Sequence, residues 1–166
     1  HEIAHVVLGR DAPWPLNLPA VGRLLPHAAL VEGAAEALEW SGGDLTLHQW
    51  SAALHRTDLA VDITVLMGPE GFYAQAAGKA YTLSGSFMRW LLDTRGAGAF
   101  RDVYRDADFA RVYGQELSAL VVDWRTFLSG LTLPDGAEGL ARQRFDRPAI
   151  FLRVCPLEIA RLRDEG

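Results

Sequence analysis

Along most of this chain the apolar positions recur every three or four residues, the period that gathers them on one face of an α-helix. Residues 1 to 8 read as the end of one helix, and Gly9-Arg10-Asp11-Ala12-Pro13-Trp14-Pro15 opens a loop that runs to about Pro26. A second helix, from about His27 to Trp40, is rich in the strong helix formers Ala and Leu and stops at Ser41-Gly42-Gly43. Its near-continuous apolarity marks it as buried. Leu47 to His55 and Val61 to Met67 read as short helices, the second closed by Gly68-Pro69. A longer helix from about Gly71 to Thr94 carries Leu83, Phe87, Trp90 and Leu91 as an inward stripe and ends before Gly96. Phe100, Tyr104, Phe109 and Tyr113 fall on two short helical pieces. Leu117, Leu120, Val121, Trp124, Phe127 and Leu128 mark a clear amphipathic helix, and the aromatic side chains among these are expected in the core. Gly130 to Pro148 reads as a loop with a turn at Pro134-Asp135-Gly136, before a final helix from about Pro156. Strand alternation is essentially absent, so the expected class is all-α.

Composition narrows the field of functions. With 166 residues, 49% of them hydrophobic and 22% charged, the chain can build one well-packed core, which argues against disorder. Its 16 basic and 21 acidic residues give a formal charge of -5 with no basic cluster, which speaks against nucleic acid as a partner. No apolar run is long enough to span a bilayer, so no membrane contact is expected within these residues. Cys155 is the only cysteine, and an intrachain disulfide is excluded. The chain begins at His1 rather than Met and ends in what reads as an unfinished helix, so it is expected to be a fragment of a longer protein.

The opening residues carry the strongest chemistry. His1 and His5 stand four apart, which on a helix puts both imidazoles on one face where they can share a zinc ion, and Glu2 flanks that face as a base. A zinc peptidase needs a third protein ligand and an open position for water. Glu32 is the best candidate, because a carboxylate in an otherwise apolar helical run is costly to bury without a cation or strong hydrogen bonds. Asp11 is the rival, at the six-residue spacing that metzincins use, but the glycine their pattern requires three residues after the second histidine is here Leu8, with Gly9 one place late. Glu36 lies one turn beyond Glu32 and is expected to accept a hydrogen bond from a zinc-bound imidazole, fixing that ligand's orientation. Glu39 continues the face and is expected to be a solvated helix end.

Three blocks, His1 to His5, Leu30-Val31-Glu32-Gly33-Ala34-Ala35-Glu36, and Ala80-Tyr81-Thr82-Leu83-Ser84-Gly85-Ser86-Phe87, resemble those of gluzincin zinc metallopeptidases. The nearest likeness is to the bacterial peptidase-MA-like domain, a relative of thermolysin and of the membrane-alanyl-type aminopeptidases. It extends through Trp124-Arg125-Thr126-Phe127-Leu128 and so covers most of residues 1–130. The resemblance implies that His1, His5 and Glu32 hold Zn2+, that Glu2 takes a proton from the attacking water, and that Tyr81 stabilises the oxyanion as a peptide or protein substrate is cleaved. Tyr73 is the alternative to Tyr81, and endopeptidase and aminopeptidase action both stay open. The implied fold is the helical C-terminal half of a zincin-type catalytic domain, with the N-terminal sheet missing. Residues 1–130 would form the catalytic subdomain and 131–166 a loop and the start of a following helical segment, with helical repeats able to follow Gly166.

The remaining histidines have plainer expectations. His27, at the entrance to the Glu32 helix, is expected at the surface or as a cap, and His48 and His55 are given no chemistry. Gly85 and Ser86 should let the long helix approach the Glu32 helix closely, and Ser86 lacks a base that would make it a nucleophile. Two other classes compete with the enzyme: a non-catalytic gluzincin-like interaction domain, and a helical scaffold in which the HExxH string is fortuitous.

Overall fold

The computed structural model describes residues 1–10, 12, 19–21, 25–39 and 43–146. Among these the chain is all-α. In order come α1 (Glu2–Gly9), α2 (Ala28–Leu38), α3 (Leu47–Arg56), α4 (Ile63–Leu66), α5 (Ala77–Asp106), α6 (Phe109–Tyr113), α7 (Leu117–Ser129) and α8 (Ala137–Phe145). A two-residue antiparallel pairing of Ala20–Val21 with Leu25–Pro26 leads the chain into α2 without changing the class. No described helix is long and apolar enough to cross a membrane.

Local signals explain where several elements start and stop. Thr46 and Gln49 close a reciprocal capping box at the start of α3, and the Asp62 side chain accepts from the backbone N–H of Thr64 to open α4. The long helix begins at Ala77 rather than about Gly71, because residues 68–75 form turns. It is broken at Gly96, whose φ of 84° lies in the left-handed region that a residue without Cβ occupies freely, and a helical piece then continues to Asp106. The expected stripe of Leu83, Phe87, Trp90 and Leu91 is buried, as are Phe100, Tyr104, Phe109, Leu120, Val121, Trp124 and Leu128, whereas Tyr113, Leu117 and Phe127 are partly buried at its edge.

The C-terminal reading of the sequence also needs correction. The stretch expected to be loop from Gly130 to Pro148 contains α8, whose buried residues are Ala137, Ala141 and Phe145. These recur every fourth position and seat the helix on α3, with the Phe145 ring edge-on to Trp50 at 5.5 Å. The final helix expected from about Pro156, together with Asp11 and Cys155, lies outside the described residues.

What positions the site is the stacking of α1 on α2 and of α2 on α5. The second crossing is close because it is built from small residues. A Cβ added at Gly33 would come within 2.8 Å of the Ser84 Cβ and 2.9 Å of its backbone carbon, so any larger residue there would push the helices apart. Gly85 likewise leaves room for the stem of Glu36, whose Cγ stands 2.5 Å from where a Gly85 Cβ would be. Gly33 and Gly85 therefore set the height at which Glu32 and Glu36 sit over the long helix.

Candidate metal centre

Residues far apart in sequence converge where α1 crosses α2. His1 precedes α1 and His5 lies one turn into it, so both rings face α2. The Nε2 atoms of His1 and His5 stand 3.2 and 3.6 Å from the same oxygen, Oε2 of Glu32. One donor atom from each of the three lies within 4.8 Å of the others. The two rings meet edge to face, with centroids 4.8 Å apart. All three side chains are half-buried, and with Glu2, Val31 and Tyr81 they line an open cleft of about 480 Å³.

Two of the donor–donor distances are compatible with a tetrahedral site, as they are with hydrogen bonding. Zinc–ligand bonds of about 2.0–2.2 Å at tetrahedral angles put neighbouring donor atoms about 3.4 Å apart. The distances of 3.2 and 3.6 Å bracket that edge. Two imidazole nitrogens and one carboxylate oxygen are a donor set suited to Zn2+, and the cleft leaves a fourth direction open.

Tyr81 and Tyr73 are separated by the structure. Tyr81 lines the cleft, its ring centroid 6.1 Å from that of His1, whereas Tyr73 is 61% exposed and packs on Phe72. Burial, and then the negative charge of Glu32, pushes the Tyr81 phenol up to about 12, so it stays a protonated donor. Tyr104, fully buried beneath the site, is pushed up to about 12 by burial and then by the same carboxylate.

The acidic residues after Glu32 both approach His1. His1 Nδ1 lies 3.1 Å from Oε2 of Glu39 and 3.9 Å from Oε2 of Glu36. Glu39, at the C-cap of α2, is exposed to solvent as expected and from there also engages His1, and Glu36 is the more distant of the two. Burial, followed by the charge of Glu39, raises the pKa of Glu36.

The other histidines are more buried than their polarity suggested. His27 is 7% exposed, so it is not the surface residue expected, and it stands at the N-cap of α2 with its carbonyl accepting the first helical bonds but with no side-chain capping bond. His48 Nδ1 and Ser86 Oγ are 2.8 Å apart, and Trp124 Nε1 donates to the same Oγ at 3.3 Å. Contrary to expectation, then, Ser86 has a basic partner in His48, but Ser86 is fully buried, so this chain of hydrogen bonds ties α3, α5 and α7 together and is closed to substrate. His55 packs edge-on against Trp124, and its buried Nε2 has no partner among the described residues.

These histidines make folding sensitive to acid. Burial holds His27, His48 and His55 below their ordinary value of 6.5, so the unfolded chain takes up their protons before the folded protein does. Their stabilising effect is complete above 6.5 and is lost progressively as pH falls towards the folded values. The raised pKa of Glu36 acts in the opposite sense, but it is one group against three. The melting temperature of the metal-free protein, followed by circular dichroism, should fall between about pH 7.5 and about pH 5. A flat or rising profile would contradict the assignment.

No family model, curated protein or solved structure matches the chain.

Proposed function

We propose that the protein binds one zinc ion through His1, His5 and Glu32 and hydrolyses peptide bonds in the manner of the gluzincin metallopeptidases that its sequence resembles. The observation that carries the reading is the approach of both imidazole Nε2 atoms to a single Glu32 oxygen at 3.2 and 3.6 Å, on the wall of an open cleft. A bound zinc ion would supply a Lewis acid that polarises a carbonyl and makes water acidic enough to lose a proton near neutral pH. Glu2 is exposed on the same cleft, where its carboxylate can take that proton and later pass it to the leaving amine. Tyr81, protonated and half-buried at the cleft wall, donates its hydroxyl to the oxygen on which negative charge develops.

A scaffold reading draws on the same distances. A protonated His1 held between Glu32 at 3.2 Å and Glu39 at 3.1 Å is a reasonable ion-pair cluster without any metal. Elemental analysis and a mixed peptide library separate the two. The metallopeptidase reading expects one zinc per chain and cleavage that a chelator abolishes and added zinc restores. Protein purified with zinc supplied, yet carrying none and cleaving nothing, would leave the scaffold.

A further inference from the structure

We propose that Glu39, rather than Glu36, is the carboxylate that orients His1 for metal binding. This rests on the zinc reading above and adds a positioning residue to it. The residue one helical turn beyond a ligand, Glu36, is where spacing alone puts such a partner, and the packing explains why it does not serve.

The stem of Glu36 lies in the gap over Gly85, with its Cγ only 2.5 Å from where a Cβ on that glycine would stand. The crossing of α2 and α5 thereby holds Glu36 down against the long helix. Its carboxylate stops 3.9 Å from His1 Nδ1, beyond the ordinary range for an N–H···O bond. Glu39 is not so constrained. α2 ends at Leu38, and Glu39 turns out of the helical path with φ −75° and ψ 137°, which frees its side chain to reach back along α1. Its Oε2 meets His1 Nδ1 at 3.1 Å, within hydrogen-bond range.

The consequence is chemical. Once Nδ1–H is donated to Glu39, any proton held between Nε2 and Glu32 at 3.2 Å is the one an ion would displace, and the neutral ring then has its lone pair on Nε2. His1 is then presented in the one tautomer that can ligate an ion shared with His5, and the adjacent carboxylate increases the basicity of Nε2. Loss of Glu39 would release the ring to the other tautomer and to other rotations.

The test compares Glu39→Ala, Glu39→Gln and Glu36→Ala with the wild-type chain in two measurements. The first is zinc affinity by chelator competition. The second is the Nδ1–H of His1 in the zinc-loaded protein, from its proton shift and its exchange with water. Glu39→Ala should weaken zinc roughly 10- to 100-fold and leave that proton exchanging rapidly with water. Glu39→Gln should recover most of both, because the amide oxygen accepts the same N–H, and Glu36→Ala should cost less than Glu39→Ala. Zinc held equally well by wild type and Glu39→Ala overturns the role of Glu39 and leaves the zinc reading standing, as does a larger loss in Glu36→Ala. Zinc absent from the wild type overturns both.

Discussion

Replacing Glu32 with alanine is expected to reduce zinc from one ion per chain to nearly none after dialysis. Among the described residues Glu32 supplies the one carboxylate oxygen near both imidazoles, at 3.2 and 3.6 Å, and without it two half-buried histidines on one short helix remain. Two ligands leave zinc open to competition from water on its other sides, whereas three with fixed geometry hold it against dilution. Loss of an orienting carboxylate costs roughly 10- to 100-fold in affinity, and loss of the ligand should exceed that. The fold should survive, because Glu32 is half-buried and its neighbours Leu30, Ala34 and Ala37 carry the packing of α2. Elemental analysis of wild type and Glu32→Ala prepared in parallel, with circular dichroism as the folding control, decides the matter. Equal zinc in the two proteins would remove Glu32 from the ligand set.

Glu2→Gln should have the opposite profile, keeping the zinc and losing the hydrolysis. Glu2 faces the cleft from the first turn of α1 but is absent from the three donor atoms that converge. The amide preserves its size and hydrogen-bonding reach, yet it cannot take a proton from water at neutral pH. A positioned general base contributes roughly a hundredfold to ten-thousandfold in rate, and that is the loss expected in kcat at unchanged metal content. Cleavage of a fluorogenic peptide mixture by zinc-loaded wild type and variant provides the comparison. Activity within a few-fold of wild type would show that Glu2 is not the base.

Much of the fold was legible because helices are local objects. The inward stripe of Leu83, Phe87, Trp90 and Leu91, and that of Leu120, Val121, Trp124 and Leu128, follow from hydrophobic period alone, and both are buried in the structure. The helix α8 escaped notice because its buried face is sparse. Ala137, Ala141 and Phe145 are separated by Gly139 and three arginines or glutamines, so little apolar periodicity remains to be read. The early start assigned to α5 had the same origin: residues 68–75 are turns, and composition alone does not distinguish turns from a first helical turn.

For the site, the sequence by itself determined which pieces share a face. Four-residue spacing puts His1 and His5 on one side of α1, and a carboxylate among alanines on α2 demands an explanation wherever the fold puts it. Which carboxylate meets which nitrogen was decided only by tertiary structure. Glu36 and Glu39 are equally acidic, and spacing favours Glu36, but the crossing over Gly85 holds Glu36 down while the end of α2 at Leu38 releases Glu39 towards His1. His27 makes the same point, since nothing local separates a solvated histidine from one buried in the core. Periodicity along a helix sets direction to within a face. Contacts across helices depend on interaxial distance, and that distance is set by residues such as Gly33 and Gly85, whose effect is felt only when another helix is laid against them.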